Sequence, residues 1–460
     1  MSIYRHAGFS FRPSLSFVSL SALLAILWVA GGASRADALG QVVVRGASIV
    51  LLVAVLLFGR RGSFARMRPI LLLFLATAVL VLLQQIPLPP GLWQTLPGRR
   101  LIGEAAAAGS FAQPWRPLAM VPGAAANAAA SLIVPGCVLA LMAGLSDDER
   151  QWLPGLFLAL IAMSMLFALL QFSGVSFNNP LINDTPGQVS GSFANRNHLA
   201  LFLALGCLVA PVWAFMERGQ LRWRGPVALG LVLLFALTIL ASGSRTGLLL
   251  AVMALAIGLM LARRDIRRVL RHYPRWLFPA LIAAVIGMIA AFVLVSFAVD
   301  RAISINRVLA VDPGQDMRAR SLPTVLAMIG EYFPFGSGMG GFDPVFRMHE
   351  SLPLLGLTYF NHAHNDWLEI VLDAGVPGLL LLLAAFLWWA WASVRAWRGQ
   401  RQALPKLGSA MLLLVMIASI FDYPARTPMI MAVIVVAGIW LSEGEKARVG
   451  SALPKADQHL

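Results

Sequence analysis

Two histidines, His362 and His364, lie in the stretch from Tyr359 to Glu369, among amides and acids and between strongly apolar segments. A free imidazole titrates near pH ~6.5, so either ring could act as a general base that takes a proton from a hydroxyl group. The structural alternative is a ring that only bonds to backbone carbonyl groups. A polar cluster at a membrane edge costs free energy, so this stretch is the first candidate for a functional site.

The same stretch could instead hold a metal ion. His362, His364 and Asp366 alternate along the chain, so an extended strand would place all three on one face. The apolar pattern of the residues that follow favours a helix, which would separate His364 from the other two. We therefore predict a site without a metal, and a zinc site stays open as the alternative.

Three polar residues beside the histidines form a candidate supporting group, namely Asn365, Asp366 and Glu369. Glu369 shares a helix face with Asp373, which lies four residues further on. These side chains could orient a histidine or hold arginine side chains. The alternative is that they are simply solvated.

Arginines far apart in the sequence are predicted to lie at the same membrane surface. Arg196, between Asn195 and Asn197, begins one apolar segment, and Arg245 lies in a very short turn between two others. A guanidinium group stays charged and its planar fork fits phosphate oxygens, so the two could hold a diphosphate, with Arg318 as a third ligand. Snorkelling to lipid head groups is the alternative for the first two, and a surface ion pair for Arg318.

The composition is that of a membrane protein. Of 460 residues, 59% are hydrophobic and 12% are charged. Cys137 and Cys207 lie inside apolar runs, which indicates buried small side chains rather than a disulfide. Judged against the roughly 20 residues that a spanning helix needs, twelve runs qualify: 14–32, 41–59, 69–86, 126–144, 152–172, 195–216, 225–242, 246–262, 277–298, 376–394, 407–422 and 427–442. The predicted fold is an all-α polytopic membrane protein with a long helical outer loop.

The distribution of charge predicts the orientation. With a cytoplasmic N-terminus, the inner segments carry 23 of the 36 Lys and Arg residues but 8 of the 21 acids, which accounts for the whole net charge of +15. This is the positive-inside pattern, with contacts to anionic membrane lipids, and it argues against a nucleic-acid surface. The loops at 86–125 and 299–375 then lie outside.

The organisation follows from these spans. We divide the chain into N-terminal transmembrane helices (1–189, with the loop 86–125), a core (190–442, with the loop 299–375) and a cytoplasmic tail (443–460). Inside the second loop, one surface helix is predicted from Asp316 to Tyr332, with Leu322, Val325, Leu326 and Ile329 on its apolar side. A second helix is predicted from His362 to Ala374.

Glycines at 336, 338 and 341 have the G-x-G-x-x-G spacing of dinucleotide-binding loops. No predicted strand precedes them, and they lie on the outer side of the membrane, so nucleotide binding is not indicated. They predict a tight turn that brings backbone N–H groups near the site, with a plain surface turn as the alternative.

Four stretches together resemble the O-antigen ligase and polymerase family of bacterial membrane proteins. They are HAHNDWLEIVLDAGVPG at 362–378, GSFANRNH at 191–198, SRTG at 244–247 and PFGSG at 334–338. The resemblance covers roughly residues 190–440, and the order and spacing of the motifs carry it more than any single motif does.

The resemblance implies a glycosyltransferase of the bacterial inner membrane whose active site faces the periplasm. It implies that Arg196 and Arg245 hold the diphosphate of an undecaprenyl-diphosphate-linked glycan. His364, which directly precedes an asparagine as in the family pattern, is the first choice for the base, and His362 is the second candidate. The reaction would invert the anomeric carbon and need no metal or other cofactor.

The acceptor is left open by the sequence. In a ligase it is lipid A–core, and in a polymerase it is the next lipid-linked repeat unit. A transporter of lipid-linked glycan is the alternative from another class, although the sequence shows no inverted repeat and no charged residue in the middle of a span, both of which are common in transporters.

Overall fold

A computed structural model of the chain describes residues 13–60, 62–175, 179–183, 187–216, 221–271, 317–355, 360–399 and 402–443, with four isolated positions between 274 and 287. Its helices are α1 Leu15–Ala30, α2 Leu39–Phe58, α3 Arg68–Leu83, α4 Pro90–Trp93, α5 Arg100–Ala108, α6 Pro122–Ser131, α7 Ile133–Ala143, α8 Asp147–Phe172, α9 Arg196–Ala214, α10 Leu221–Ser242, α11 Arg245–Leu270, α12 Met317–Tyr332, α13 Phe342–His349, α14 Asp366–Gly399, α15 Ala403–Phe421 and α16 Pro428–Glu443. Two short strands, β1 Pro87–Leu88 and β2 Arg116–Pro117, pair antiparallel. The predicted all-α fold is confirmed.

Eight helical stretches of the described chain are long and apolar enough to cross a membrane, with α6 and α7 counted as one. The helices α1, α3 and α16 are apolar but shorter, at 16 residues each. Together these helices account for eleven of the twelve predicted spans, and the chain is a polytopic membrane protein. The twelfth, at 277–298, falls outside the described residues, so the count of twelve remains a prediction.

The helix α9 forms the centre of the bundle. It packs against α8, α10, α11 and α15, and 16 of its 19 residues are buried. A helix that is apolar on every side is stable only when neighbours surround it. Gly206 permits a close approach of α9 to α10 and α8. A Cβ atom at this position would lie 2.5 Å from the ring of Phe235 and 2.8 Å from a methyl carbon of Ile161. The N-terminus of α9, which carries Arg196, is thereby fixed in the middle of the molecule.

The segments that carry the predicted site meet at one end of the bundle. The N–H group of Ala194, just before α9, donates to the carbonyl of Gly32 after α1 (3.1 Å). The N–H group of Met429, at the start of α16, donates to the neighbouring carbonyl of Gly31 (3.1 Å). The starts of α9, α11 and α14 and the turn from α15 to α16 all lie at this end, which we call the site end.

Different residues close the opposite end of the bundle. Arg150 in α8 forms an ion pair with Glu443 at the end of α16, and Arg66 pairs with Asp147 at 2.5 Å. The helices therefore alternate in direction as the predicted topology requires. Which end faces the periplasm remains a prediction from the distribution of Lys and Arg.

The loop between α3 and α6 is folded against the site end. The buried side chain of Arg99 donates to the carbonyls of Leu118 (2.6 Å) and Gly336 (3.3 Å), and it lies over the ring of Tyr332. These contacts join the predicted outer loop 86–125 to the described part of the predicted outer loop 299–375. The described parts of the two loops thus form one packed layer over the helices.

The helix α12 matches the prediction in position. Of the residues predicted on its apolar side, Val325 is buried, whereas Leu322 and Leu326 are 42% and 51% exposed. The buried face carries Ser321, Val325 and Met328, together with Tyr332 at its end. An exposed apolar residue is free to meet lipid, so the position of this helix on the membrane stays a prediction.

The second predicted loop helix begins four residues later than expected, at Asp366 rather than His362. The side chain of Asn365 accepts a hydrogen bond from the N–H group of Leu368 (3.0 Å), as an N-cap does. His364 adopts a left-handed backbone conformation (φ 50°), which a helix excludes. The helix then continues through a break at Gly375 (φ 54°) into the next span, so both histidines lie in the loop that precedes α14.

Candidate active site

The first group of side chains at the site end surrounds Asp422, which follows α15 and is buried. One carboxylate oxygen accepts hydrogen bonds from the amides of Asn195 (3.1 Å) and Asn197 (2.6 Å) and pairs with Arg318 at 3.3 Å. The other accepts from Nδ1 of His364 at 3.1 Å. We call these five residues the Asp422 cluster. It joins four of the predicted site residues, which come from three distant parts of the chain.

The environment of Asp422 keeps its carboxyl group charged. Burial alone raises the pKa of Asp422, but the hydrogen bond from His364 and the positive charge of Arg318 lower the pKa well below its ordinary value of 3.8. The carboxylate therefore stays ionised at any physiological pH. It is a fixed acceptor for the hydrogen that His364 carries.

The contact with Asp422 fixes the tautomer of His364. A carboxylate can only accept, so Nδ1 of the ring carries the hydrogen and Nε2 keeps its lone pair. The ring is 16% exposed and lies between the rings of Phe360 and Tyr423, at centroid distances of 5.0 Å and 4.9 Å. A histidine oriented by a buried carboxylate, with its second nitrogen able to take a proton, is the arrangement that general-base catalysis needs.

His362 is held in the same way by a different acid. Its Nδ1 lies 2.9 Å from one oxygen of Glu369, and the other oxygen accepts from the N–H group of Ala363 at 2.7 Å. Glu369 is fully buried and His362 is 14% exposed. The predicted supporting role of Glu369 is thus to orient His362, so both histidines keep the geometry of a base.

The second group of side chains surrounds Arg426, in the turn between α15 and α16. Its guanidinium group contacts three buried carboxylates on α14, those of Asp366 (3.4 Å), Glu369 (3.1 Å) and Asp373 (3.4 Å). Together with His362 these residues are the Arg426 cluster. Burial alone lowers the pKa of Arg426, but the three acids hold it above its usual value. This cation locks the α15–α16 turn to the start of α14.

Tyr423 separates the two clusters. Its ring lies 4.3 Å from that of His362, 4.9 Å from that of His364 and 5.1 Å from that of His198, measured between centroids. Burial raises the pKa of the Tyr423 phenol to about 12, so it is neutral at physiological pH. An uncharged ring therefore lies between the imidazoles of His362 and His364 and separates the carboxylates to which they are bonded.

Arg196 and Arg245 occupy the first positions of α9 and α11. The side chain of Asn195 caps α9 and that of Ser244 caps α11, and Ser244 also donates to the Asn197 side chain at 2.8 Å. The two helix N-termini are thereby tied to each other and to the Asp422 cluster. Helix N-termini favour anions. Arg196 is partly buried and Arg245 is exposed, and their binding of a diphosphate stays a prediction.

The glycine-rich segment is hydrogen-bonded to the first part of α14. The N–H groups of Ser337 and Gly338 donate to the carbonyls of Leu372 and Asp373, both at 2.9 Å, and the N–H group of Gly340 donates to the Asp373 carboxylate at 3.2 Å. Positive φ angles at glycines 336, 338 and 340 make this path possible. Ser337 is fully buried, so the segment is not a plain surface turn.

The three side chains of the zinc alternative have separate partners. His364 bonds to Asp422 and His362 to Glu369, while Asp366 accepts hydrogen bonds from Ser419 and from a backbone N–H group and pairs with an arginine. Among the described residues, no three His, Cys, Asp or Glu side chains are grouped as metal ligands. The strand that would align the three is not formed, and the absence of a metal in the reaction stays a prediction.

Sequence analysis missed the central residues of both clusters. The turn FDYPARTP at 421–428 supplies Asp422, Tyr423 and Arg426. Its signal was the presence of an acid, a phenol and a guanidinium within five residues between two apolar runs. Asn365, predicted as a supporting residue, caps α14 and donates to the carbonyl of Ile420, so its contacts are structural.

A cavity of about 800 Å³ opens beside the Arg426 cluster. His362, Asp366 and Arg426 line one end, and Trp388 and Trp389 line the other. The length of the cavity along α14 is estimated from the unbroken part of that helix. Fourteen residues separate the break at Gly375 from Trp389, which corresponds to about 20 Å at ~1.5 Å per residue. His364 is not among the lining residues, so the two histidines face different spaces.

The family profile described as O-antigen ligase matches residues 229–383. It is this range that is similar to an O-antigen ligase family domain. The matched range includes Arg245, Arg318 and both histidines, whereas Arg196 and Asp422 lie outside it. A curated relative, the exopolysaccharide production protein ExoQ of Rhizobium meliloti (strain 1021), is 29% identical over 255 residues. That alignment covers 53% of this chain and 54% of the relative, so the chain spans about half the length of the curated relative it matches.

Proposed function

We propose that the protein is a membrane glycosyltransferase that moves a glycan from undecaprenyl diphosphate to a hydroxyl group of an acceptor. The observation that carries this proposal is the pair formed by His364 and Asp422, at 3.1 Å, inside a cluster that also holds Arg318. It places an oriented base next to cationic groups. The O-antigen ligase family domain supports the same reaction class.

The reaction follows from the roles of these side chains. Nε2 of His364 takes the proton of the acceptor hydroxyl while the hydroxyl oxygen attacks the anomeric carbon. The bond from that carbon to the diphosphate oxygen breaks, and the diphosphate leaves with the electron pair. Attack opposite the leaving group inverts the anomeric centre. Arg196, Arg245 and Arg318 stabilise the charge that develops on the diphosphate, so the mechanism needs no metal.

The proposed location is the bacterial inner membrane with the site end in the periplasm. The excess of Lys and Arg at the opposite end supports this orientation. A lipid-linked donor carries its diphosphate at the membrane surface, which is where the starts of α9 and α11 lie. The exposed side chain of Arg245 and the partly buried one of Arg196 suit that depth.

Two acceptors fit this chemistry. Transfer to lipid A–core makes the protein a ligase, which accords with the description of the family. Transfer to a second lipid-linked repeat makes it a polymerase, and the relative named for exopolysaccharide production favours this second candidate. In both, the substrates are two membrane-anchored molecules that must reach the histidines together.

A gene deletion tests the proposed function, with surface polysaccharide separated by gel electrophoresis. Loss of a ligase leaves bare core, with the glycan stranded on its carrier lipid. Loss of a polymerase leaves core with at most one repeat. A transporter, the rival from another class, forms no glycosidic bond, so failure of the purified protein to join lipid-linked glycan to either acceptor would refute the glycosyltransferase.

A further inference from the structure

The charged residues around the large cavity are paired, with one exception among those that the structure describes. Arg35 pairs with Asp37 at 2.5 Å, Asp343 with Arg347 at 2.7 Å, and Asp366 with Arg426. Arg45, in the second turn of α2, also lines this cavity. Within the described chain no carboxylate lies at salt-bridge distance from it, so its positive charge has no counter-ion.

The neighbours of Arg45 are neutral amides. Its Nη2 donates to Asn127 Oδ1 at 2.8 Å and to Gln41 Oε1 at 3.2 Å. Its Nε is buried and has no hydrogen-bond partner in the described part of the chain. An arginine inside a span that is not neutralised by the protein is costly, and such residues usually serve a ligand or a pathway. The arrangement fits an anion that a guanidinium fork recognises.

The remainder of the cavity wall indicates what carries that anion. Toward Trp389 the lining is mostly apolar and aromatic, with Phe74 from α3, Phe386 and Trp389 from α14 and Met416 from α15. The cavity extends about 20 Å along α14, at ~1.5 Å per residue, which is a large part of the roughly 30 Å hydrocarbon core. A cationic group near the surface above a deep apolar slot is complementary to a lipid with an anionic head group.

We propose that Arg45, with Gln41 and Asn127, binds the phosphate head group of a lipid whose chain fills the cavity. The site lies outside the matched family range of 229–383. His362 lines the same cavity, so the bound lipid is a neighbour of His362. The binding of this lipid goes beyond the proposed function and does not rest on it.

Equilibrium binding to the purified full-length chain in phosphatidylcholine nanodiscs tests the site, with two probes. Farnesyl phosphate represents an isoprenyl lipid and dioleoyl phosphatidylglycerol a bulk anionic phospholipid, so the stronger binder identifies the source of the phosphate. Loss of one charge-assisted contact in Arg45→Gln should weaken that binder roughly tenfold or more. Ala385→Phe, which fills the slot, should weaken it without touching the charge.

The matched control is Arg395→Gln, at the opposite end of α14, where the guanidinium group lies over the ring of Trp391. It should leave the affinity within about twofold of wild type, because a screened surface charge contributes little. Thermal unfolding supplies the second readout. Arg45→Gln should not lower the melting temperature, because no carboxylate loses its counter-ion and a buried charge is removed.

Two results would overturn this site. One is equal affinity of wild type and Arg45→Gln for both probes. The other is a lower melting temperature in Arg45→Gln with unchanged binding, which would make Arg45 a structural tie between α2 and α6. Lost binding in Arg45→Gln together with a wild type that forms no glycosidic bond would instead refute the proposed function and leave the lipid site standing.

Discussion

The Asp422 cluster and the Arg426 cluster have opposite charge arrangements, because an acid lies at the centre of the first and a cation at the centre of the second. In the first, one acid receives donors from α9, α12 and the loop before α14, and its cation, Arg318, has a 35% exposed side chain. In the second, one cation receives three acids from a single helix, and those carboxylates are at most 5% exposed. Each cluster holds one histidine through Nδ1, but the cation of the first is the more exposed, at 35% against 18%.

This difference distinguishes a cluster that is able to bind a ligand from one that holds the neighbouring segments in place. A cluster that combines segments far apart in the sequence, with an accessible cation, can respond to a bound anion. A cluster whose charges are buried and mutually neutralised fixes geometry instead. We therefore assign the reaction to the Asp422 side and the rigidity of the loop to the Arg426 side, and each substitution below should affect one without the other.

The largest expected effect is on stability and concerns Arg426→Gln. Removing the cation leaves three buried carboxylates without their counter-ion, which costs about 3–5 kcal/mol when a buried pair is broken. Thermal unfolding and size-exclusion chromatography of the purified protein measure it. Arg347→Gln, which breaks the more exposed pair with Asp343, is the control and should cost under about 1 kcal/mol. Equal stability of the two variants would remove the structural role of the Arg426 cluster.

The next effect is on catalysis and concerns Asp422→Asn. The amide keeps the shape but no longer fixes His364 with Nδ1 protonated, so transfer should fall on the order of a hundredfold. Steady-state transfer in a purified system, beside a folding check by thermal unfolding, measures it. If transfer is normal in a folded Asp422→Asn protein, the carboxylate does not orient the base.

A smaller loss is expected from lysine at the proposed diphosphate ligands. Arg196→Lys, Arg245→Lys and Arg318→Lys keep the charge but lose the planar fork, so each should reduce transfer roughly tenfold while the protein stays folded. Arg320→Lys is the matched control, since Arg320 lies on the same helix as Arg318 and bonds to the carbonyl of Pro353. Full activity in the three variants would favour contacts with lipid head groups for Arg196 and Arg245 and a plain ion pair for Arg318.

The smallest expected effect is that of a chelator. Transfer by purified protein should be unchanged by EDTA, because the proposed reaction uses an oriented imidazole and guanidinium groups. The measurement is a rate before and after chelation, followed by addition of zinc. Inhibition that zinc reverses would favour the metal alternative at His362, His364 and Asp366.

The spans were predictable because lipid imposes a long apolar run on every helix that crosses it. The starts of α9 and α11 were predictable for the same reason, and with them the positions of Arg196 and Arg245. The start of α14 was not, because it depends on the cap by Asn365 and on Glu369 reaching back to the N–H group of Ala363. Such local contacts compete with apolar spacing and leave little trace in it.

The partners of the site residues could not be predicted from one sequence. Asp422 lies 225 positions from Asn197 and 58 from His364, and the packing of α9 and α14 against α15 brings them together. The sequence shows a polar turn at 421–428. It could not show that Asp422 orients one histidine while Arg426 holds the acid that orients the other.

Transfer and donor binding measured side by side in His364→Ala test the central claim most directly. We expect transfer to be abolished and binding of the lipid-linked donor to survive, because the donor contacts are the arginines and the imidazole acts on the acceptor. His362→Ala is the comparison, since that ring has the same type of acidic partner but faces the cavity. Active His364→Ala with inactive His362→Ala would move the base to His362, and full activity in both variants would contradict the account.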